Sequence, residues 1–389
     1  MNEIFDKNES ATKVQRVFEF RKYIVLIFIL FAIFIAFYKG FRVPNSWSTT
    51  YFQISVFDGI FRRSFLGTLL LPFGCYRFNY HLVSAMQIFL FFSFVFLLVW
   101  QGIKSRIGVL VGVFFLSTAG VFLFNALGYP EFFMYLLTAG AILLIRKGKY
   151  TSAAALGAVT LATHEMAIFT TIPLLVTASI FIERHASRKK IVSLLSPAIM
   201  LFAIQFAWFQ TYPDGTIANY LSERNSCGYP LVRMDFMEIF KNSYSNTLLI
   251  YYSFAEKTLY IPLLAFLAIS IGFSVCKKFD EKLVVFISII IACLSPLLLG
   301  FVASDTNRWL TISFLNSLFI MLIASQLVRN EKKLESIIIG KIPFIIFILV
   351  AATLRVQYFD EFEPRSFDNS GFENFKNYMI YEIHKIPSR

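Results

Sequence analysis

The stretch Phe57-Asp58-Gly59-Ile60-Phe61-Arg62-Arg63-Ser64-Phe65-Leu66-Gly67 places a carboxylate and two guanidinium groups between two long apolar segments. If this stretch is helical, Asp58 and Arg62 share one face because they are four residues apart, and Arg63 lies beside them. A proton acceptor and a planar fork of phosphate-binding donors would then meet at a lipid–water boundary. The alternative interpretation is a local ion pair that only anchors the loop among the lipid headgroups.

The composition of the whole chain is that of a membrane protein. Of its 389 residues, 57% are hydrophobic and 15% are charged, whereas soluble domains carry about 25% charged residues. Apolar runs recur along almost the whole length and leave no room for a separate soluble domain. The sequence therefore predicts an all-α, polytopic bundle of transmembrane helices.

The net charge of +12 does not indicate a nucleic-acid partner, because Lys and Arg are concentrated in short clusters between apolar runs. This is the positive-inside pattern, and it orients the chain with its N-terminus inside and its C-terminus outside. We expect a cytoplasmic segment 1–22, a transmembrane domain 23–354 and an outer tail 355–389. About eleven spans follow: 23–38, 82–101, 107–127, 132–145, two arms within 151–182, then 191–210, 259–276, 283–302, 310–328 and 337–354.

Two long loops, 40–81 and 211–257, fall on the outer side in this topology. The first contains the apolar run 65–72, which is about half the length of a span and predicts an amphipathic or re-entrant segment. The apolar segment 151–182 is instead longer than the roughly 20 residues of one span. It also lies between two basic clusters of the kind found on the inner side of a membrane. It predicts a hairpin whose turn lies near Thr163-His164-Glu165, below the outer surface.

Most of the candidate site residues are predicted to lie at or just below the outer membrane face. The middle of the spans is nearly free of charge, which is not typical of an ion-coupled transporter. Each candidate also has a structural interpretation, as a helix-start residue, a local ion pair or a solvated loop charge. The candidates are Asp58, Arg62, Arg63, Glu131, His164, Glu165, Asp305 and Arg308, with Arg224 and Arg233 in the second outer loop.

Several common chemistries have no motif in this sequence. There is no P-loop, no dinucleotide fingerprint and no His/Cys cluster with zinc spacing, so we predict neither a cofactor nor a metal. Cys75 and Cys227 both fall in outer loops, but the sequence does not show whether they lie close enough to pair.

In length, number of spans, Phe- and Ile-rich composition and Arg-bearing outer loops, the chain resembles the O-antigen polymerases of the bacterial inner membrane. The first outer loop, with Asp58 near lipid and a following half-span, is similar to that of GT-C type membrane glycosyltransferases. No Asp-x-Asp pair accompanies Asp58, so the GT-C motif is incomplete. The size, the composition and the long second outer loop favour the polymerase.

Both resemblances imply a glycosyl transfer at the periplasmic face from a glycan carried on polyprenyl phosphate or diphosphate. The partners implied are this lipid-linked glycan, membrane lipid and other proteins of polysaccharide assembly. Only Asp58 matches the GT-C pattern, and the other roles are our hypothesis. It makes Asp58 or Glu165 the base and His164 its orienting group or substitute, with Glu131 and Asp305 as secondary candidates. The residues expected to bind the phosphate are Arg62, Arg63, Arg308, Arg224 and Arg233.

Two further function classes stay open at this point. A flippase of lipid-linked glycans would be expected to have internal repeats and charges along a central path, and neither is visible in the sequence. A purely structural membrane subunit is the other alternative, although it gives no reason for a submerged His164-Glu165 pair.

Overall fold

The computed structural model describes residues 2–58, 63, 65–183, 187–210, 215–228, 259–301, 305–329, 340–358 and 362–382. Every regular element in these ranges is helical, and none of the residues described forms a β-strand. The predicted all-α class is therefore confirmed.

Long helices alternate with short ones that lie in the connections. The α-helices are α1 (Asn2–Gly40), α2 (Ser46–Thr50), α3 (Phe65–Leu69), α4 (Tyr80–Lys104), α5 (Gly108–Leu116), α6 (Thr118–Asn125), α7 (Glu131–Arg146), α8 (Tyr150–Thr163), α9 (Thr171–Glu183), α10 (Arg188–Gln210), α11 (Gly215–Ser226), α12 (Tyr260–Cys276), α13 (Lys282–Leu294), α14 (Thr306–Arg329), α15 (Lys341–Thr353) and α16 (Asn369–Asn377). Three 3₁₀ segments, Leu71–Phe78, Glu165–Ile168 and Ser295–Phe301, and a π turn at Tyr378–Glu382 complete the described elements.

Five helical segments are long and apolar enough to cross a membrane, which is the composition of a multi-pass membrane protein. A sixth is obtained if α5 and α6, which meet at an angle of 72°, form one broken span. The predicted count of eleven spans and the orientation of the termini stay predictions. The five segments are Phe20–Gly40, Tyr80–Lys104, Glu165–Glu183, Lys282–Gly300 and Thr306–Gln326.

Helix α14 lies at the centre of the bundle and packs against α9, α12 and α13. Its buried face carries polar side chains, and Asn316 is the best connected of them. The Asn316 amide donates to the carbonyls of Thr170 (2.9 Å) and Ala292 (2.8 Å) and accepts from the Tyr135 hydroxyl (2.6 Å). Because a buried polar group is costly unless it is hydrogen-bonded, this network fixes how α7, α9, α13 and α14 pack.

The predicted half-span in the first outer loop is shorter than expected. Only the five residues of α3 are α-helical, and a 3₁₀ segment follows them, bent at Gly74 with φ of +54°. Gly67 lies so close to the preceding loop segment that a Cβ atom there would be 1.9 Å from the Ile54 carbonyl oxygen. The Thr68 hydroxyl accepts from the Val56 amide at 2.9 Å, so this loop folds back on itself.

We predict that Gly67→Ala lowers the free energy of unfolding by about 3 kcal/mol. The added Cβ would overlap with Ile54 backbone atoms, which cannot move aside as the end of a side chain can. Gly140→Ala in α7 is the matched control, since its Cβ would meet only the flexible Leu156 side chain at 3.4 Å. Thermal unfolding of both purified variants in detergent measures the difference. Equal melting temperatures would show that the loop tolerates a Cβ at position 67.

The chain after α15 returns to the C-terminal end of α1. Arg365 is buried and donates to the free carbonyls of Tyr38 (3.1 Å) and Phe41 (2.9 Å) at this helix end. The Tyr38 hydroxyl in turn donates to the Ser366 carbonyl at 2.7 Å. Since the last carbonyls of a helix have no partner within it, a guanidinium placed there satisfies and stabilises them. The predicted outer tail thus packs on the predicted outer end of the first span.

Arg365→Ala should destabilise the protein by about 2 kcal/mol, because it removes two charge-assisted hydrogen bonds from a buried helix end. Lys376→Ala removes an equally basic residue whose only described ion pair, with Glu373, is exposed at 3.8 Å, so it should change stability little. Chemical denaturation followed by circular dichroism compares the two. An equal loss in the free energy of unfolding of both variants would contradict the capping role.

Candidate functional site

Two buried loops carry the side chains of the site. The loop after α1 contains residues 48–55, all of which are buried, and the turn between α6 and α7 contains Gly128 and Tyr129. Gln87 of α4 joins the loops, because its amide donates to the carbonyls of Ser48 (3.0 Å) and Gly128 (2.7 Å). The φ of Gly128 is +107°, a conformation that favours glycine.

The helix break predicted near Thr163-His164-Glu165 is confirmed. Helix α8 ends at Thr163, His164 has extended backbone with φ of −162°, and a 3₁₀ turn begins at Glu165. Both α8 and α9 pack against α7, so the irregular backbone between them is surrounded by protein. This is the environment that such a break requires at membrane depth.

Glu165 is held by Arg63 of the first loop, 102 residues earlier in the chain. The Arg63 Nε donates to both carboxylate oxygens, at 3.1 and 3.0 Å, and its Nη2 forms a close ion pair with the same carboxylate. The Arg63 Nη1 donates to the Tyr51 hydroxyl at 3.0 Å. Arg63 also has φ of +72°, which costs a non-glycine residue about 1 to 3 kcal/mol, so these contacts hold it in a strained conformation.

His164 lies beside this pair and is buried. Its Nδ1 is 3.2 Å from the Glu165 carboxylate and 3.2 Å from the Met166 amide nitrogen. A neutral Nδ1 accepts from the amide, whereas a protonated Nδ1 donates to the carboxylate, and it cannot do both. The position of one proton therefore selects the partner of the imidazole.

Arg308, at the start of α14, lies near the Arg63, His164 and Glu165 side chains and has its own set of partners. It makes a close ion pair with Glu131, and its Nη1 is 3.8 Å from Asp305. The guanidinium carbon lies 4.6 Å from the centre of the Tyr129 ring. Its Nη2 contacts the Met166 sulfur at 3.7 Å, directly after the His164-Glu165 pair.

Tyr51 connects the two halves, because its ring centre is 5.9 Å from that of His164 and 6.3 Å from that of Tyr129. Burial raises the pKa of the Tyr129 hydroxyl, and the nearby Arg308 opposes this effect. We name the group the arginine–carboxylate cluster; its members are Tyr51, Arg63, Tyr129, Glu131, His164, Glu165, Asp305 and Arg308. These described members are three carboxylates, two guanidinium groups, two tyrosines and one histidine.

The structure places Asp58 in a different group. One Asp58 oxygen accepts from the amide (2.7 Å) and hydroxyl (2.8 Å) of Ser55, and the other is 3.9 Å from Arg77. Asp58 lies in a turn and Arg63 has left-handed backbone, so the expectation of one helix through 58–63 is wrong at both ends. The remaining candidates Arg62 and Arg233 lie outside the described residues.

Arg224 belongs with Asp58 rather than with Arg308. It lies on α11, where it is buried and hydrogen-bonds to the Tyr220 hydroxyl. A disulfide between Cys75 and Cys227, with Cα atoms 5.5 Å apart, ties α11 to the 3₁₀ segment of the first loop. We name this group the disulfide-linked cluster; its members are Gln53, Asp58, Cys75, Arg77, Tyr220, Glu223, Arg224 and Cys227.

Sequence reasoning missed four side chains of the two clusters, which are the tyrosines Tyr51 and Tyr129 and the ion-paired Arg77 and Glu223. Arg77 follows Cys75 by two positions, and Glu223 precedes Cys227 by four. Pairing the two cysteines would have placed Arg77 and Glu223 together, and this was the signal available in the sequence.

No family model, no curated protein and no solved structure matches this chain. Within the ranges that the structure describes, no group of three or more His, Cys, Asp or Glu side chains is arranged to hold a metal ion. The site must therefore be interpreted from its own geometry.

The Arg63–Glu165 pair should contribute more to stability than an exposed ion pair. We expect Glu165→Gln to lower the free energy of unfolding by about 2 kcal/mol, because it removes the counter-charge of a partly buried, strained guanidinium. Glu183→Gln is the control at the other end of the same segment, since Glu183 pairs with the more exposed Lys190 and should cost less than about 1 kcal/mol. Denaturant titration measures both, and a larger loss for Glu183→Gln would contradict this ranking.

Proposed function

We propose that this protein is a multi-pass glycosyltransferase of the bacterial inner membrane that polymerises polyprenyl-linked oligosaccharide repeat units at the periplasmic face. The observation that supports it best is the arginine–carboxylate cluster. Four segments that are far apart in the sequence, all predicted to lie outside, bring Arg63, Glu131, Glu165 and Arg308 together. A buried group of this kind inside an apolar bundle indicates a functional site.

The contacts at both ends of the bundle are consistent with the proposed topology. Segments predicted to lie outside contact one another, as in the bond from the Gln357 amide to the Asn307 side chain at 3.0 Å. Segments predicted to lie inside also contact one another, as in the hydrogen bond between Gln101 and Gln326. This pattern supports the grouping of these segments on the two sides of the membrane that the proposed topology gives.

Glu165 is the best placed base for the proposed reaction. It would take the proton of the acceptor hydroxyl as that oxygen bonds to the anomeric carbon of the donor glycan. The bond from this carbon to the phosphate oxygen breaks, and the electron pair leaves with the polyprenyl diphosphate. Asp58 is less suited, since it lies in the disulfide-linked cluster beside Ser55 and Arg77 rather than beside His164.

His164 and the arginines supply the remaining roles in this proposal. His164 would accept the proton from Glu165, because its Nδ1 lies 3.2 Å from the Glu165 carboxylate. Arg63 orients the carboxylate through its bidentate contact. Arg308 would exchange its Glu131 partner for the leaving diphosphate and stabilise the charge that develops there.

The test is to delete the gene in its native host, complement it with wild type, Glu165→Gln or Glu183→Gln, and separate the surface polysaccharide on a gel. We expect Glu165→Gln to reduce the long ladder to core plus one repeat unit, about a hundredfold loss in transfer, because a removed general base costs 10²–10⁴-fold. Glu183→Gln should restore the full ladder.

Immunoblots of the membrane fraction keep the comparison at equal protein abundance. A ladder that persists while each rung lacks one sugar would instead indicate the single-sugar GT-C type transferase. A full ladder with Glu165→Gln at normal abundance would contradict the assigned base, and an unchanged surface glycan in the deletion strain would rule out glycan assembly altogether.

A further inference from the structure

A groove between α4, α7 and α14 encloses about 490 Å³ of space, counted to its open side, which is within the range of ligand pockets. Side chains from all three helices line it, and most of them are apolar. Leu98 in its lining is fully buried, whereas Leu143 is half exposed, so the groove opens to the surroundings of the bundle. We name it the α4–α7–α14 groove; it shares no residue with either of the two clusters.

The groove is apolar along its length and polar at one end. On α7 its lining passes from Ala139 through Leu143 to Arg146, which is the last residue of the helix. On α14 the lining passes from Phe319 to Gln326, which are also seven positions apart, or about 10 Å along a helix. Residues at such spacings share one helix face, so each helix presents an apolar stripe that ends in a polar side chain.

The polar ends of these stripes lie together. Tyr135 and Asn316, which precede the stripes of α7 and α14, are hydrogen-bonded to each other, so both helices run in the same direction past the groove. Gln101 of α4 also lines this end, because it hydrogen-bonds to Gln326. Arg146, Gln101 and Gln326 therefore form one polar end, on the side predicted to lie inside. A groove with this pattern fits an amphiphile, because apolar and polar ligand groups each meet their own kind.

The charge at the polar end fits an anionic headgroup. The Arg146 side chain is partly exposed, and within the described ranges it forms neither an ion pair nor a hydrogen bond. Lys147 and Lys149 follow it and are exposed, so this end of α7 is basic. A guanidinium presents a fork of donors that matches phosphate oxygens, and its alkyl stem can lie along apolar surface.

We propose that the α4–α7–α14 groove binds an anionic phospholipid, with an acyl chain along the apolar stripes and the headgroup phosphate on Arg146. The amides of Gln101 and Gln326 supply donors and acceptors for the polar groups between chain and headgroup. The site does not depend on the proposed glycosyl transfer, which is assigned to residues outside the groove.

The experiment measures how three soluble probes stabilise the full chain in uncharged detergent at constant ionic strength. Because a ligand of the folded state raises the melting temperature, thermal unfolding at increasing probe concentration gives the affinity. Dioctanoyl-phosphatidylglycerol is the whole lipid, dioctanoylglycerol has the same chains without a phosphate, and glycerol phosphate is the headgroup alone. We expect wild type to bind the whole lipid about tenfold more tightly than dioctanoylglycerol, and glycerol phosphate to have no effect.

Arg146→Gln is compared with Lys147→Gln, which removes the same charge from the next residue, outside the groove. Both variants should lose about fivefold in affinity for the phosphatidylglycerol, since each removes one cation that attracts an anionic lipid. Arg146→Gln should lose about a further tenfold, because it also removes hydrogen bonds to the phosphate. Its affinity for dioctanoylglycerol should equal that of wild type, which shows that the variant still folds and keeps the groove.

Two results would overturn the proposal. If Arg146→Gln and Lys147→Gln lose the same affinity for the phosphatidylglycerol, the attraction is general and no site is built around Arg146. If glycerol phosphate stabilises wild type as well as the whole lipid does, the groove is not used. Neither result involves the surface polysaccharide, so the proposed glycosyl transfer stands or fails separately.

Discussion

The structure depends on one electrostatic constraint, that a charge removed from water must meet an opposite charge. Glu165 begins a largely buried helical segment, and its carboxylate is stabilised by the guanidinium of Arg63 from the first loop. To reach it, Arg63 adopts left-handed backbone, and the buried loop behind it brings Tyr51 against His164. The arrangement of the first loop over the bundle follows from this pair, and so does the shape of the site.

The two clusters differ in how they are held together. In the arginine–carboxylate cluster, ion pairs join segments that are far apart in the chain, Arg63 to Glu165 and Arg308 to Glu131, and His164 lies beside the first pair. In the disulfide-linked cluster, the bond between Cys75 and Cys227 joins the segments that carry the buried Arg77 and Arg224. Both clusters share the loop that follows α1.

Much of the fold could be predicted from the sequence, and the site only in part. Apolar runs between basic clusters predicted the helices, and the excess length of 151–182 predicted the break at His164. What the sequence could not show was which charges pair, because Arg63 and Glu165 are 102 residues apart and Cys75 and Cys227 are 152 apart. Local periodicity carries no information on contacts at such separations, so Asp58 was grouped with Arg63, whereas the structure places it near Arg77.

The cap that Arg365 places on α1 has a consequence for how the protein is made. The carbonyls that it binds belong to residues synthesised up to 327 residues earlier, so the end of α1 is completed only when a much later segment has been made. A ribosome that stops before Arg365 would release a bundle with an unfinished helix end at its surface. Quality-control proteases that sample exposed, frayed segments therefore have a direct physical means of telling an incomplete chain from a finished one.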